Sequence, residues 1–211
     1  MASKSNAKIE KLKKIEKILI DISIKIAKQG KGCLFVIKQG PLSYGLLMEK
    51  DIKSFDIFKN ERRLELLAVM DGACVIDIRG KLLAYGAQIK NVKTLRGFGT
   101  RHSAAYTASQ NNIAILSSEE DRKVKIFKKG KLIMQLDPYE KNIEYKTKDA
   151  VNILESIGAG AITTIGATVL APTLGIALLP GIIIFGVPYY LIKRYGTSLK
   201  DYLVRVHTKK K

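Results

Sequence analysis

Apolar residues near the start of the chain recur at helical spacing. Ile9, Leu12, Ile15, Leu19, Ile22 and Ile26 stand three or four positions apart with lysines on the other face. This predicts an amphipathic basic helix over 6–29, stopped by Gly30 and Gly32 and filling an N-terminal segment, 1–30. The same stripe suits a membrane-surface or partner helix. Packing on the chain's own domain is the preferred reading, because a core helix needs that stripe too. From residue 33 the pattern shortens. Residues 33–37, 74–78, 82–85, 113–116, 124–127 and 132–136 read as strands, with hairpin turns at 79–81 and 128–130. Residues 61–70 and 100–110 read as helices. Strands interleaved with helices at both hairpin and crossover spacing predict an α/β (α+β mixed) fold over 31–140, a central mixed β-sheet flanked by helices.

Beyond Pro138 the pattern changes again. Residues 141–155 are charged and helical in texture. Ser156 to Ile192 then form a run of 37 residues without a charge, broken by Pro172, Pro180 and Pro188. A membrane-spanning helix needs about 20 apolar residues. The run is long for one span and short for two, and both flanks are basic. A C-terminal apolar helical hairpin over 141–195, either membrane-associated or oligomerising, is the expectation, followed by a basic tail over 196–211.

Charge sharpens this picture. The 211 residues carry 37 Lys and Arg against 19 Asp and Glu, a net +18. Residues 1–31 hold nine Lys against three acids, and 193–211 hold seven bases against Asp201, so two thirds of the excess sits at the two ends. Such an excess suits a polyanion: nucleotide phosphates, nucleic acid or an anionic membrane surface. No nucleic-acid-binding module is recognisable, so no specific nucleic acid is expected. Two Cys and two His, with no His-Cys cluster, argue against a disulfide framework and a zinc hydrolase. The N-terminus lacks an apolar signal core, so a cytoplasmic catalytic domain is expected, attached to the membrane through 156–192 or else soluble.

Three short segments carry candidate chemistry. Asp71-Gly72-Ala73 falls between a helix and a strand, where Gly72 permits a sharp turn and Asp71 could hold a divalent metal or activate a hydroxyl. Gly97-Phe98-Gly99-Thr100-Arg101-His102 is a glycine-rich loop entering a helix. It has the physics of a phosphate site: open backbone N–H groups, a helix N-terminus, and donors from Thr100 and Arg101. Ser118-Glu119-Glu120-Asp121 follows a strand and reads as a metal-holding group or a solvated turn.

Together, in this order and spacing, Asp-Gly-Ala at 71–73, Gly-Thr-Arg-His at 99–102 and Ser-Glu-Glu at 118–120 resemble the diadenylate cyclase domain, as do the SAAYTAS and AILSSEEDRKVKIFKKGK segments. The resemblance covers roughly 30–136, and the texture of Ile76-Asp77 and AYGAQI resembles the archaeal branch. It implies condensation of two ATP into cyclic di-AMP with release of two pyrophosphates, helped by Mn²⁺ or Mg²⁺. By the same resemblance Asp71 is the catalytic acid and a metal ligand, and Gly72 and Ala73 form its backbone platform. Gly99, Thr100, Arg101, His102 and Ser118 bind the nucleotide phosphates, and His102 and Glu120 stand near the metal. The adenine pocket is unassigned, with Leu95 and the strand end at 85–89 as candidates. Because the product is two-fold symmetric, the resemblance implies a face-to-face homodimer or higher homo-oligomer.

The sequence departs from the family pattern at Ser103, where many members carry a second Arg. One fork-like phosphate contact is lost. Arg96, Lys93 and Arg122 are candidates to replace it. Otherwise the chain is a weakened adenine-nucleotide-binding sensor of the same fold.

Overall fold

The computed structural model describes residues 2–47, 53–94, 97, 99–159, 168–169, 176–179 and 181–185. The long amphipathic helix α1 (Ala2–Lys28) leads into β1 (Cys33–Lys38), β2 (Tyr44–Leu46) and a short 3₁₀ turn at Ile57–Lys59. Then follow α2 (Glu61–Ala68), β3 (Ala73–Asp77), β4 (Leu82–Ile89), α3 (Thr100–Ala108), β5 (Ile113–Ser117), β6 (Val124–Lys128), β7 (Lys131–Leu136) and α4 (Ile143–Ala159). Three short strands end the described chain: β8 (Thr168–Val169), β9 (Ile176–Leu179) and β10 (Ile182–Phe185). The strands join in one mixed sheet of order β2-β4-β3-β1-β5-β6-β7-β10-β9-β8. Among the described residues only β1 and β3 pair in parallel, with Phe35 opposite Cys74 and Ile37 opposite Ile76.

Alternation along the central strands divides the core into two layers. Cys33, Phe35 and Ile37 on β1, with Ile113 and Ile115 on β5, face Ile15, Leu19, Ile22 and Ile26 of α1 and Val151 and Leu154 of α4. The predicted stripe on α1 is thus core-facing from Leu12 onward, while Ile9 is exposed. Leu34, Val36, Ala114 and Leu116 face the other way, toward Ala105 and Ala108 of α3. Small alanines on both elements let α3 approach the sheet closely. Both central strands are buried on both faces, which suits their nearly unbroken apolar sequence.

The apolar stretch departs from expectation. Of the helical hairpin expected over 141–195, Ile143–Ala159 is the one helix among the described residues. The described residues beyond it are strands, and β10 pairs antiparallel with β7, placing Ile184 opposite Met134 and Ile182 opposite Leu136. The isoleucine run at 182–184 favours a pleated, half-buried surface. β10 also covers the β7 edge, which would otherwise lie open. Residues 160–167, 170–175, 180 and the tail from 186 onward lie outside the described residues. No helix among the described residues is long and apolar enough to cross a membrane.

The β3–β4 hairpin, which aims the start of β3, is tied by Asp77. Its Oδ1 accepts from the backbone N–H groups of Arg79 and Lys81, both at 2.8 Å, and its Oδ2 from Arg79 Nε at 3.0 Å. Burial acts to raise the Asp77 pKa, but the Lys81 amide and the Arg79 side chain and amide outweigh it, and the pKa is lowered. The contribution to stability is therefore present above the unfolded carboxyl range near pH 4 and lost as pH falls through the depressed folded value. Asp77→Ala is expected to cost about 1 kcal/mol at pH 7. Urea titrations should show the gap between wild type and variant closing as the pH is brought below 3.

Candidate functional site

Four element ends meet at one site: the entries of β1 and β3, the exit of β5, and the N-terminus of α3. Asp71 precedes β3. Its Oδ1 accepts from the Gly72 N–H at 3.0 Å, and its side chain is 86% exposed. Gly72 has φ +90°, and a Cβ there would stand 2.5 Å from the Gly86 carbonyl carbon. Only glycine lets these two backbones pass so closely. The β3–β4 register shifts beside this crossing, between Ala73 and Val75.

Helix α3 opens without a side-chain cap. Gly99 is its N-cap, and the Ser103 N–H closes the first turn on the Gly99 carbonyl at 3.2 Å. Its first amides therefore lack intrahelical acceptors and add to the positive end of the helix dipole. Arg101 is the hinge of the site. Its Nη1 donates to Glu119 Oε2 at 2.9 Å, and its Nη2 stands 3.9 Å from Asp71 Oδ1. The guanidinium passes over Gly32, where a Cβ would come within 2.5 Å of Nη1. Gly32, read from the sequence only as a helix stop, is the floor under this arginine.

Two clefts share the arginine. A polar one of about 340 Å³ is lined by Gly99, Thr100, Arg101, His102, Ser118, Glu119 and Glu120. A more apolar one of about 420 Å³ is lined by Leu34, Asp71, Gly72, Ala73, Ala87, Ile89, Val92 and Ala104, again with Thr100 and Arg101. All eight residues expected to form the nucleotide site therefore line one cleft or the other, as does Glu120. Of the adenine candidates, the end of β4 lines the apolar cleft through Ala87, Gln88 and Ile89, whereas Leu95 lies outside the described residues. Ser103 is buried and faces the apolar cleft. Lys93 and Arg122 line neither cleft, and Arg96 lies outside the described residues.

The expected metal triad does not assemble. Among the described residues no group of three or more His, Cys, Asp or Glu side chains lies close enough to hold an ion. The reason is local. The Glu120 carboxylate lies against Gly99, 2.7 Å from where a Cβ would stand. His102 directs Nε2 at the Lys125 ammonium, 2.9 Å away. Burial, and then the Lys125 charge, lower the His102 pKa against the opposing influence of Glu120 and Asp121. Asp71 offers an exposed carboxylate at the lip between the clefts. This donor set fits a cation that arrives on nucleotide phosphates, since Mg²⁺-type ions are commonly held by one or two carboxylates plus substrate oxygens. A cysteine nucleophile is disfavoured: burial pushes the Cys33 thiol up to about 12 and raises Cys74 as well.

Sequence reasoning missed Gly32, Glu119 as the partner of Arg101, and Lys125. Nothing local marked the last, since Lys123 and Lys128 stand close to it in the sequence.

The family model described as DisA bacterial checkpoint controller nucleotide-binding (DAC) matches residues 23–132, which contain every residue of both clefts. A diadenylate cyclase of Haloferax volcanii is 31% identical over 139 residues, covering 57% of this chain and 51% of its own. A diadenylate cyclase of Methanocaldococcus jannaschii is 30% identical over 148 residues, covering 61% of this chain and 47% of its own. The chain thus spans about half the length of these curated relatives. Among solved structures, DacA from Staphylococcus aureus is similar at 20% identity and TM-score 0.39, over 62% of this chain and 87% of that one.

Proposed function

The chain belongs to the DAC nucleotide-binding family, and from that premise we propose that it is a diadenylate cyclase joining two ATP into cyclic di-AMP with release of two pyrophosphates. The observation that carries this reading is the meeting of Asp71 and Arg101, 30 positions apart in sequence and 3.9 Å apart in space, at the junction of a polar and an apolar cleft. An apolar slot accepts a nucleobase. The adjoining polar one, with an arginine fork, a threonine and uncapped helix amides, accepts a triphosphate.

Arg101 exchanges Glu119 for phosphate oxygens and neutralises charge that builds on them during transfer. Asp71, an exposed carboxylate beside Arg101, takes the proton of a ribose 3′-hydroxyl. The 3′-oxygen then bonds the α-phosphorus of an ATP held by a facing subunit as the bond to pyrophosphate breaks. Repeating the step with the roles of the subunits exchanged closes the ring. A divalent cation carried on the triphosphate, with Asp71 as its protein ligand, would supply further charge neutralisation. Because each subunit holds one ATP, the reaction needs two copies facing each other. The loss of a guanidinium at Ser103 favours one other reading, a sensor that binds adenine nucleotide without turnover.

The full chain incubated with ATP and Mn²⁺ is expected to give a product whose mass is that of two ATP less two pyrophosphates, with specific activity rising with protein concentration. ATP binding without that product would favour the sensor.

A further inference from the structure

We infer that Lys125 is a positioning residue that fixes the ring of His102 with its proton on Nδ1, so that its Nε2 serves neither as a metal ligand nor as a base. Only the kinetic consequence rests on the cyclase reading. Alternation on β6 sends Val124 and Ile126 to the α1 layer and Phe127 to the α3 layer, so Lys125 emerges on the α3 face. Its Cα lies opposite Leu116. An apolar residue would complete the pattern there. Instead a lysine with a side chain 7% exposed places Nζ 2.9 Å from His102 Nε2 and also pairs with Asp121 Oδ2.

Burying an ammonium is costly unless it is paired, and Asp121 supplies the pairing charge. An ammonium carries three donors and no acceptor. In a 2.9 Å contact with it, Nε2 accepts, and the single proton of a neutral imidazole is left on Nδ1. The nitrogen pointing at Lys125 is thereby withdrawn from metal and proton chemistry. Asp121, Lys125 and His102 form a relay of orientation from the β5–β6 connection to the first turn of α3, where His102 lines the polar cleft. Its neighbours Glu119 and Glu120 line the same cleft, and Lys125 offsets their negative charge from behind the ring.

The test is ¹⁵N spectroscopy of histidine-labelled full chain, with His207→Gln removing the second histidine signal. Wild-type His102 is expected to be protonated on Nδ1 at pH 7.5. In Lys125→Met, whose side chain has similar volume, the proton should move to Nε2. The thermal midpoint should not fall, because Asp121 is 44% exposed and can be hydrated. Turnover should drop about tenfold, the usual scale for losing an orienting neighbour, with a smaller change in KM. Lys125→Arg should keep the Nδ1 proton. A wild-type ring protonated on Nε2 would overturn the assignment, and so would a Lys125→Met protein whose ring and turnover match wild type. The ring measurement needs no nucleotide, so a wild-type chain with the expected ring but no cyclic product would count against the cyclase reading and leave the Lys125–His102 pair standing.

Discussion

Asp71→Asn is expected to fold with wild-type stability and to form cyclic di-AMP about a thousandfold more slowly, the scale of removing a general base together with an electrostatic ligand. The fold should survive because the carboxylate is 86% exposed and its shortest contact is the neighbouring Gly72 amide, which the asparagine oxygen can still engage. The lost quantity is the negative charge facing Arg101 and the capacity to take a proton. Product identified by mass over a time course, with a urea titration of both proteins, separates the two effects. Wild-type turnover by the variant would remove Asp71 from the mechanism and with it the main support for the proposed reaction.

Gly72→Ala should damage the fold itself. A methyl group at φ +90° pays a left-handed penalty of about 1 kcal/mol, and the added carbon meets the Gly86 backbone at 2.5 Å, where no side chain can rotate away. Overpacking of this kind costs about 2 kcal/mol. A total loss near 3 kcal/mol is expected, seen as a lower urea midpoint at unchanged slope. Gly86→Ala provides the contrast. Gly86 also has positive φ, +59°, but the nearest atom to its added carbon is the Asp71 carbonyl oxygen at 3.5 Å, an ordinary contact. Its cost should be limited to about 1 kcal/mol. Equal losses in the two variants would mean that the strand crossing at Gly72 is looser than described.

The elements that could be read from the chain were those whose pattern is local. The α1 stripe, the apolar runs of β1, β3 and β5 and both hairpins appear within a residue or a few of where they were expected, because each is dictated by a period of 3.6 or 2 and a glycine turn. The segments 71–73, 99–102 and 118, picked out as short motifs in a characteristic order, all line the two clefts. What stayed hidden depends on pairings distant in sequence. Gly32 matters only because Arg101, on a helix 69 positions later, crosses above it. Lys125 looks like one more surface lysine until the alternation of β6 is set against α3. The isoleucines of β10 are read equally well as a helix until the open edge of β7 is known to need a partner. Spacing along the chain likewise could not show that His102 turns toward a lysine, or that the three expected metal residues do not cluster among the described residues.

The parallel pairing of β1 with β3 has a consequence for how the chain comes to life. Arg101 rests on the residue before β1, Asp71 stands just before β3, and Glu119 follows β5, whose strand lies antiparallel to β1 some 80 positions earlier. None of these neighbours is supplied by a local turn, so loop closures must precede them and assembly of this region is slow relative to the hairpins. A nascent chain emerging from the ribosome has its β3–β4 hairpin long before it has a cradle for a triphosphate. Competence to handle nucleotide therefore arrives late, only once β1, β3, β5 and α3 have come together.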